Sequence, residues 1–191
     1  MKQFPVVKAT GSHYEVGKAI GEAMADAIRD ALDKNKHHMA QKFSQYMETS
    51  NRYRVFAEKF FPQYIDELKG VVEGAGVSFD ELFFSNNREV DHYIPQIDSN
   101  HCTIIALPQG NGYVLGHNED WDPEALSQLY ILDAEIDGVK LFALNYADML
   151  LGVSVAMNGY GLVEAVNDLF HQDAQLGVPK NFIARAILDC K

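Results

Sequence analysis

The chain of 191 residues holds two cysteines. Cys102 stands directly before a β-forming run, in Ser99-Asn100-His101-Cys102-Thr103-Ile104-Ile105-Ala106-Leu107, which reads as a buried strand. A thiol there can be core filler, half of a disulfide, a metal ligand or a nucleophile. Cys102 and Cys190 make a poor disulfide framework, so both are expected to be thiols in a reducing compartment. Pro108-Gln109-Gly110-Asn111-Gly112 is dense turn chemistry, and a second strand follows at 113–118. If the turn centres on Asn111, Cys102 lies opposite Asp120; a shift of half a residue brings Glu119 or Trp121 there instead. Opposed residues of an antiparallel pair have β-carbons about 4.5–5.5 Å apart, so a carboxylate shares the neighbourhood of the thiol. Alternation puts Asn118 and Asp120 on one face and Glu119 and Trp121 on the other. His101 and Cys102, adjacent on a strand, point to opposite faces and form no dyad. His117, Glu119, Asp120 and Asp122 are weak as a metal site because the ligand spacing typical of zinc is absent, and no metal or cofactor is expected.

The elements that must position these residues fall into two halves. Residues 12 to about 93 read as helical. Ser12-His13-Tyr14-Glu15 is a capping box, followed by an apolar stripe of Val16, Ile20, Ala23, Ala27 and Ala31. A second helix is predicted over roughly 36–48, and a third from Arg52, kinked at Pro62 and stopped at Gly74-Ala75-Gly76. Ser78-Phe79-Asp80-Glu81 is a second capping box. The aromatics Tyr53, Phe56, Phe60, Phe61, Tyr64, Phe79, Phe83 and Phe84 are expected to be core. After residue 100 the period becomes that of strands: 103–107, 113–118, 129–136, 140–146, 153–157 and 161–166. Asp137-Gly138 and Asn158-Gly159 are hairpin signals. A helix is predicted from Pro179. The helical pattern still runs at Leu188-Asp189-Cys190-Lys191 without a Gly or Pro stop, which reads as a chain cut inside an element. The expectation is an α+β fold with an antiparallel meander of six strands.

Composition excludes some classes. The formal net charge of −11 argues against nucleic acid as partner, because a phosphate-binding surface needs clustered Lys and Arg. No run of about 18 apolar residues is present to span a membrane, and no apolar segment near the N-terminus resembles a secretory signal. A cytoplasmic location follows as the expectation.

Cys-Thr opening a strand, a Gly-rich turn, then Gly116-x-Asn118-x-Asp120-Trp121 resembles an N-terminal-nucleophile hydrolase. The sequence is similar to the acyl-coenzyme A:6-aminopenicillanic acid acyltransferase family, with choloylglycine hydrolases as cousins. Residues 11–32, 64–88 and 153–169 extend the resemblance to a helical pro-region and early sheet. The resemblance implies an αββα sandwich, incomplete here at the C-terminus, and self-cleavage between His101 and Cys102. Residues 1–101 would then be a pro-segment or small subunit and 102–191 the first part of the catalytic domain, the processed halves staying associated. Cys102 would be the nucleophile and its freed α-amine the base. Asp120 would hold the amine, Asn167 would help form the oxyanion hole, and Asn118 would fix the strand end. Position 117 is His where the choloylglycine cousins carry Arg. The implied activity is a cysteine amidohydrolase or acyltransferase acting on a small-molecule amide or acyl thioester. The alternative is an inactive, shortened family member acting as a folded scaffold or binding module. A papain-like protease would need a distant histidine, and His13, His37, His38, His92 and His171 lie in no recognisable context.

Overall fold

A computed structural model describes residues 3–39, 43–87, 102–167 and 175–191. Ser12 caps helix α1 (His13–Ala23) with both halves of the predicted box present. The chain turns at Met24 and re-enters a helix as α2 (Ala25–Met39). The i, i+4 row Val16, Ile20, Met24, Ile28 and Leu32 is buried, and of the expected stripe Val16, Ile20 and Ala31 are buried, while Ala23 is exposed and Ala27 only half-buried. The larger side chains take the core because they remove more apolar surface from water. Helix α3 (Phe43–Phe60) and α2 replace the helices expected over 36–48 and from Arg52. Pro62 is no kink: Phe61 is the N-cap and Pro62 opens helix α4 (Pro62–Ala75), where its missing N–H costs nothing. Gly76 ends α4 in the left-handed conformation, φ 66°. Ser78 stands at the N-cap of α5 (Phe79–Ser85) but makes no side-chain cap bond; Glu81 instead meets Lys36 at 2.9 Å. Of the expected core aromatics, Tyr53, Tyr64, Phe83 and Phe84 are buried and Phe60 is exposed. The predicted helical stretch 88–93 lies outside the described residues.

Helices α1 and α4 cross with their backbones in contact. Gly17 and Gly21 face Gly70 and Gly74, and a β-carbon at any of the four would overlap a carbonyl of the partner helix: Glu67, Val71, Tyr14 or Lys18 respectively. Only glycine, lacking a β-carbon, permits this approach.

The six predicted strands form, as β2 (Thr103–Gln109), β3 (Gly112–Asn118), β4 (Leu129–Ile136), β5 (Val139–Tyr146), β6 (Val155–Asn158) and β7 (Val163–Ala165). They do not make one meander. β2 and β3 are a separate ribbon, and a five-stranded sheet runs β1-β4-β5-β6-β7. Strand β1 (Val6–Gly11), unforeseen in the sequence, pairs parallel with β4, Val6 against Ile131. Asp137 and Gly138 both take positive φ (48° and 84°), the type I′ turn that suits the twist of a two-residue hairpin. Asn158-Gly159 is not such a turn. The Asn158 carboxamide accepts from the Tyr160 and Leu162 amides, making a longer loop. The predicted buried strand 103–107 is instead exposed at Ile105 and Leu107, because the ribbon stands apart from the five-stranded sheet.

One sheet face carries Val7, Leu132, Ala134, Ile136, Leu141, Ala143 and Ala156 into the core with the helices. The other presents Val6, Phe142, Met157 and Val163 to solvent, residues that the register places on one side. Helix α6 (Lys180–Ile187) starts after Pro179, which is its N-cap rather than its first turn. It ends at Ile187, with Leu188 as its C-cap, and Asp189 and Cys190 close on Ala186 and Ile187 in tighter turns. Arg185 on α6 is fully buried and ties α6 to α4. Its Nε donates to Glu67 Oε2 at 3.0 Å and its Nη1 to Asp189 Oδ1 at 2.8 Å. His13 Nδ1 lies 2.8 Å from the same Glu67 oxygen. Tyr64 donates to Asp189 Oδ2 at 2.7 Å and lies 4.8 Å beneath the guanidinium. No helix among the described residues is long and apolar enough to cross a membrane.

Candidate active site

The β2–β3 turn decides which carboxylate meets Cys102. Gln109 pairs with Gly112, leaving Gly110 and Asn111 as a two-residue loop. Gly110 has φ 60° and Asn111 has no positive φ, as in a type II′ turn with Gly first. The centre therefore falls half a residue before Asn111. Thr103 pairs with Asn118, so Cys102 lies opposite Glu119, the second of the positions the sequence allowed. Cys102 Sγ is 3.5 Å from Glu119 Oε1. Asp120 meets the thiol through its backbone, with its carbonyl oxygen 4.0 Å from Sγ.

Glu119 is the hub of the corner. Ser154 Oγ donates to its Oε2 at 2.5 Å, the Tyr146 phenol at the end of β5 stands near enough to feel its charge, and His117 Nε2 lies 3.5 Å from Oε2. The ring of Trp121 packs on Tyr146 at 6.4 Å. Burial pushes the Cys102 thiol above its usual pKa, a backbone hydrogen bond from Asp120 pulls it back, and the Glu119 carboxylate pushes it up again, for a net rise. Burial raises the Tyr146 phenol, with Glu119 adding to it. The corner thus holds Cys102 as a neutral thiol beside an acceptor.

Asn118 ends β3 opposite Thr103, exposed, as a strand-end residue. His117 carries a side chain only 4% exposed, and among the described residues neither ring nitrogen has a hydrogen-bond partner. Cys102, His117 and Glu119 bring one ligand atom each within 4.8 Å of the others. Residues 117 and 119 share a strand face, and the ladder brings Cys102 beside them. Asn167 lies just beyond β7, its Oδ1 buried without a hydrogen-bond partner among the described residues. Its neighbour Val166 donates to the Ser154 carbonyl at 3.1 Å, which ties the end of β7 to the residue that holds Glu119. His101, His92 and His171 lie outside the described residues. His13 is spent on Glu67 and His37 on the Asp33 carbonyl. Cys190 is exposed.

Glu119 as hub, Ser154 and Tyr146 were missed in the sequence. Glu119 was legible from the turn once Gly110 is read as the first loop residue. Ser154 and Tyr146 come from the larger sheet and carry no local signal.

The chain is 30% identical to the beta-alanyl-dopamine/carcinine hydrolase of Drosophila melanogaster, in a match covering 96% of this chain and 54% of that protein. It thus spans about half the length of the curated relative. Residues 107–191 match the sequence model of a family described as acyl-coenzyme A:6-aminopenicillanic acid acyl-transferase. The Gly-x-Asn-x-Asp-Trp strip lies inside that span, so the chain is similar to the acyl-coenzyme A:6-aminopenicillanic acid acyl-transferase family from residue 107 onward, and the Cys-Thr strand start stands just before it.

Proposed function

We propose that the chain carries the nucleophile of a self-processing amidohydrolase or acyltransferase, with Cys102 as the attacking group. The observation that carries this reading is the half-buried Cys102 thiol, 3.5 Å from a carboxylate that Ser154 holds in place. Cys102 Sγ attacks the His101 carbonyl carbon, the C–N bond breaks, and the departing α-amine takes the thiol proton. Water then hydrolyses the thioester, leaving a His101 carboxylate and a free Cys102 thiol. The new α-amine, with an ordinary pKa of about 7.7–8.0, serves as base near neutral pH. In the substrate reaction the same thiol accepts an acyl group from an amide or thioester and passes it to water or an amine. The relative, named as a hydrolase of beta-alanyl-dopamine and carcinine, favours a small amide.

Asp120 orients the α-amine in this reading, supported by its backbone contact with Cys102. Asn167 contributes to the oxyanion hole, supported by its place beside Val166 and Ser154. Residues 1–101 and 102–191 become two pieces, and the β1–β4 pairing and the Glu67–Arg185 bond would hold them together. The solvent-facing row Val6, Phe142, Met157 and Val163 supports an αββα sandwich, in which a second sheet covers that face. Intact-mass measurement of the full chain tests the reading. Two fragments meeting at residue 102, absent from Cys102→Ala, are expected. A single uncut species at every pH and incubation time would overturn it.

A further inference from the structure

We infer that Cys102, His117 and Glu119 form a binding site for a thiophilic divalent cation of the Zn2+ class, which masks the Cys102 sulfur when occupied. Three kinds of ligand converge on one face of the β2–β3 ladder. Cys102 and Glu119 stand opposite each other just beyond the ends of the strands, and His117 shares the face of Glu119 two residues before it. Sulfur, imidazole nitrogen and carboxylate oxygen are the donors that Zn2+ takes.

The spacing fits. Tetrahedral angles with ordinary Zn–S, Zn–N and Zn–O bonds separate neighbouring ligand atoms by about 3.3–3.6 Å. Sγ lies 3.5 Å from Glu119 Oε1 and His117 Nε2 lies 3.5 Å from the other oxygen, Oε2, so the carboxylate bridges the two, and one atom from each residue falls inside a 4.8 Å span. Small side-chain rotations close the remaining gap.

An independent observation points to a ligand. The His117 side chain is 4% exposed, yet neither ring nitrogen makes a hydrogen bond among the described residues. A buried imidazole that makes no hydrogen bond forfeits those it had to water, and the Glu119 oxygen at 3.5 Å does not replace them. A cation restores an interaction at one nitrogen. The Ser154 hydroxyl, 2.5 Å from Glu119 Oε2, acts as an outer partner that fixes the carboxylate. Three protein ligands leave a fourth position for water.

On binding, the thiol proton passes to solvent and a metal–sulfur bond forms, so the sulfur lone pair that would attack a carbonyl is engaged. Masking of catalysis rests on the reading of Cys102 as nucleophile; binding of the cation does not.

The test uses the full chain, stripped with a chelator and titrated with Co2+ as a spectroscopic stand-in, then with Zn2+. The expected result is a thiolate-to-cobalt charge-transfer band saturating at one equivalent and displaced by Zn2+. Cys102→Ser should abolish the band and Cys190→Ser should keep it. His117→Ala and His117→Gln should each weaken binding by at least about tenfold, the low end of what even an outer partner contributes. In the wild-type chain, Zn2+ should slow alkylation of Cys102 but not of Cys190, read by peptide mass. No band in the wild type, a band lost in Cys190→Ser, or undiminished affinity in both His117 variants would overturn the site. These readouts need no activity, so failure of the cation site and failure of self-processing are separately visible.

Discussion

Removing Glu67 should be among the most damaging single changes to this fold. Glu67 is 2% exposed and Arg185 is fully buried. Glu67 Oε2 receives Arg185 Nε at 3.0 Å and lies 2.8 Å from His13 Nδ1. In Glu67→Ala the guanidinium keeps Asp189 but loses its other carboxylate, in a site that water does not reach. Breaking a buried pair from one side costs about 3–5 kcal/mol, because a charge is left desolvated and unmatched. For a chain of this size each kcal/mol moves the midpoint by about 2–4 °C, so a fall of roughly 10 °C is expected. Urea and thermal unfolding followed by circular dichroism measure it. The double variant Glu67→Leu/Arg185→Met removes both charges and keeps the volume, and should recover most of the loss. A cost below about 1 kcal/mol, typical of exposed pairs, would refute the claim that the pair is desolvated. A double variant no better than the single would show that the loss came from packing rather than from the stranded charge.

Two further outcomes follow from the titrating groups. Glu119→Gln removes the negative charge 3.5 Å from Cys102 Sγ, which helps to hold the thiol pKa up; alkylation of Cys102 should speed up at fixed pH, with its midpoint shifted down, and an unmoved midpoint would contradict the geometry. Glu164 faces the helix layer from β7, and neither of its oxygens has a hydrogen-bond partner among the described residues. Burial pushes its carboxyl up from 4.5 to about 8, Arg185 opposing. The folded chain therefore keeps a proton that the unfolded chain releases, and this group's contribution to stability falls as pH rises from about 4.5 to about 8. Unfolding in urea across that range should show a shallower decline in Glu164→Gln than in the wild type, and parallel curves would contradict the assignment.

Local signals carried the sequence reading as far as local physics reaches. Asp137-Gly138 marked the β4–β5 hairpin because positive φ at two successive residues demands such a pair. Ser12 and Glu15 marked the start of α1 because a capping box is complete within four residues. Val6 and Val7 did not announce β1, whose partner Ile131 is far along the chain; a parallel edge strand leaves no turn to find. The glycines of α1 and α4 weaken each helix alone and make sense only together. At the site, the hairpin made a carboxylate beside Cys102 legible, while half a residue in the turn chose Glu119 over Asp120. Ser154 and Tyr146 reach Glu119 from the larger sheet, and no spacing within 99–121 encodes that.

The parallel pairing of β1 with β4 also sets a timetable. During synthesis Val6 leaves the ribosome more than a hundred residues before Ile131, a wait on the order of ten seconds at ordinary rates of elongation. The β2–β3 ribbon is local and can close early. Tyr146 and Ser154, which stand beside Glu119, emerge only after the whole of β4. The surroundings of Cys102 are therefore finished later than the seat of the first strand. A nascent chain acquires the corner around Cys102 only after the material for the pairing of β1 with β4 has been made, so the order of the sequence places the closing of that corner after the longest-range strand pairing among the described residues becomes possible.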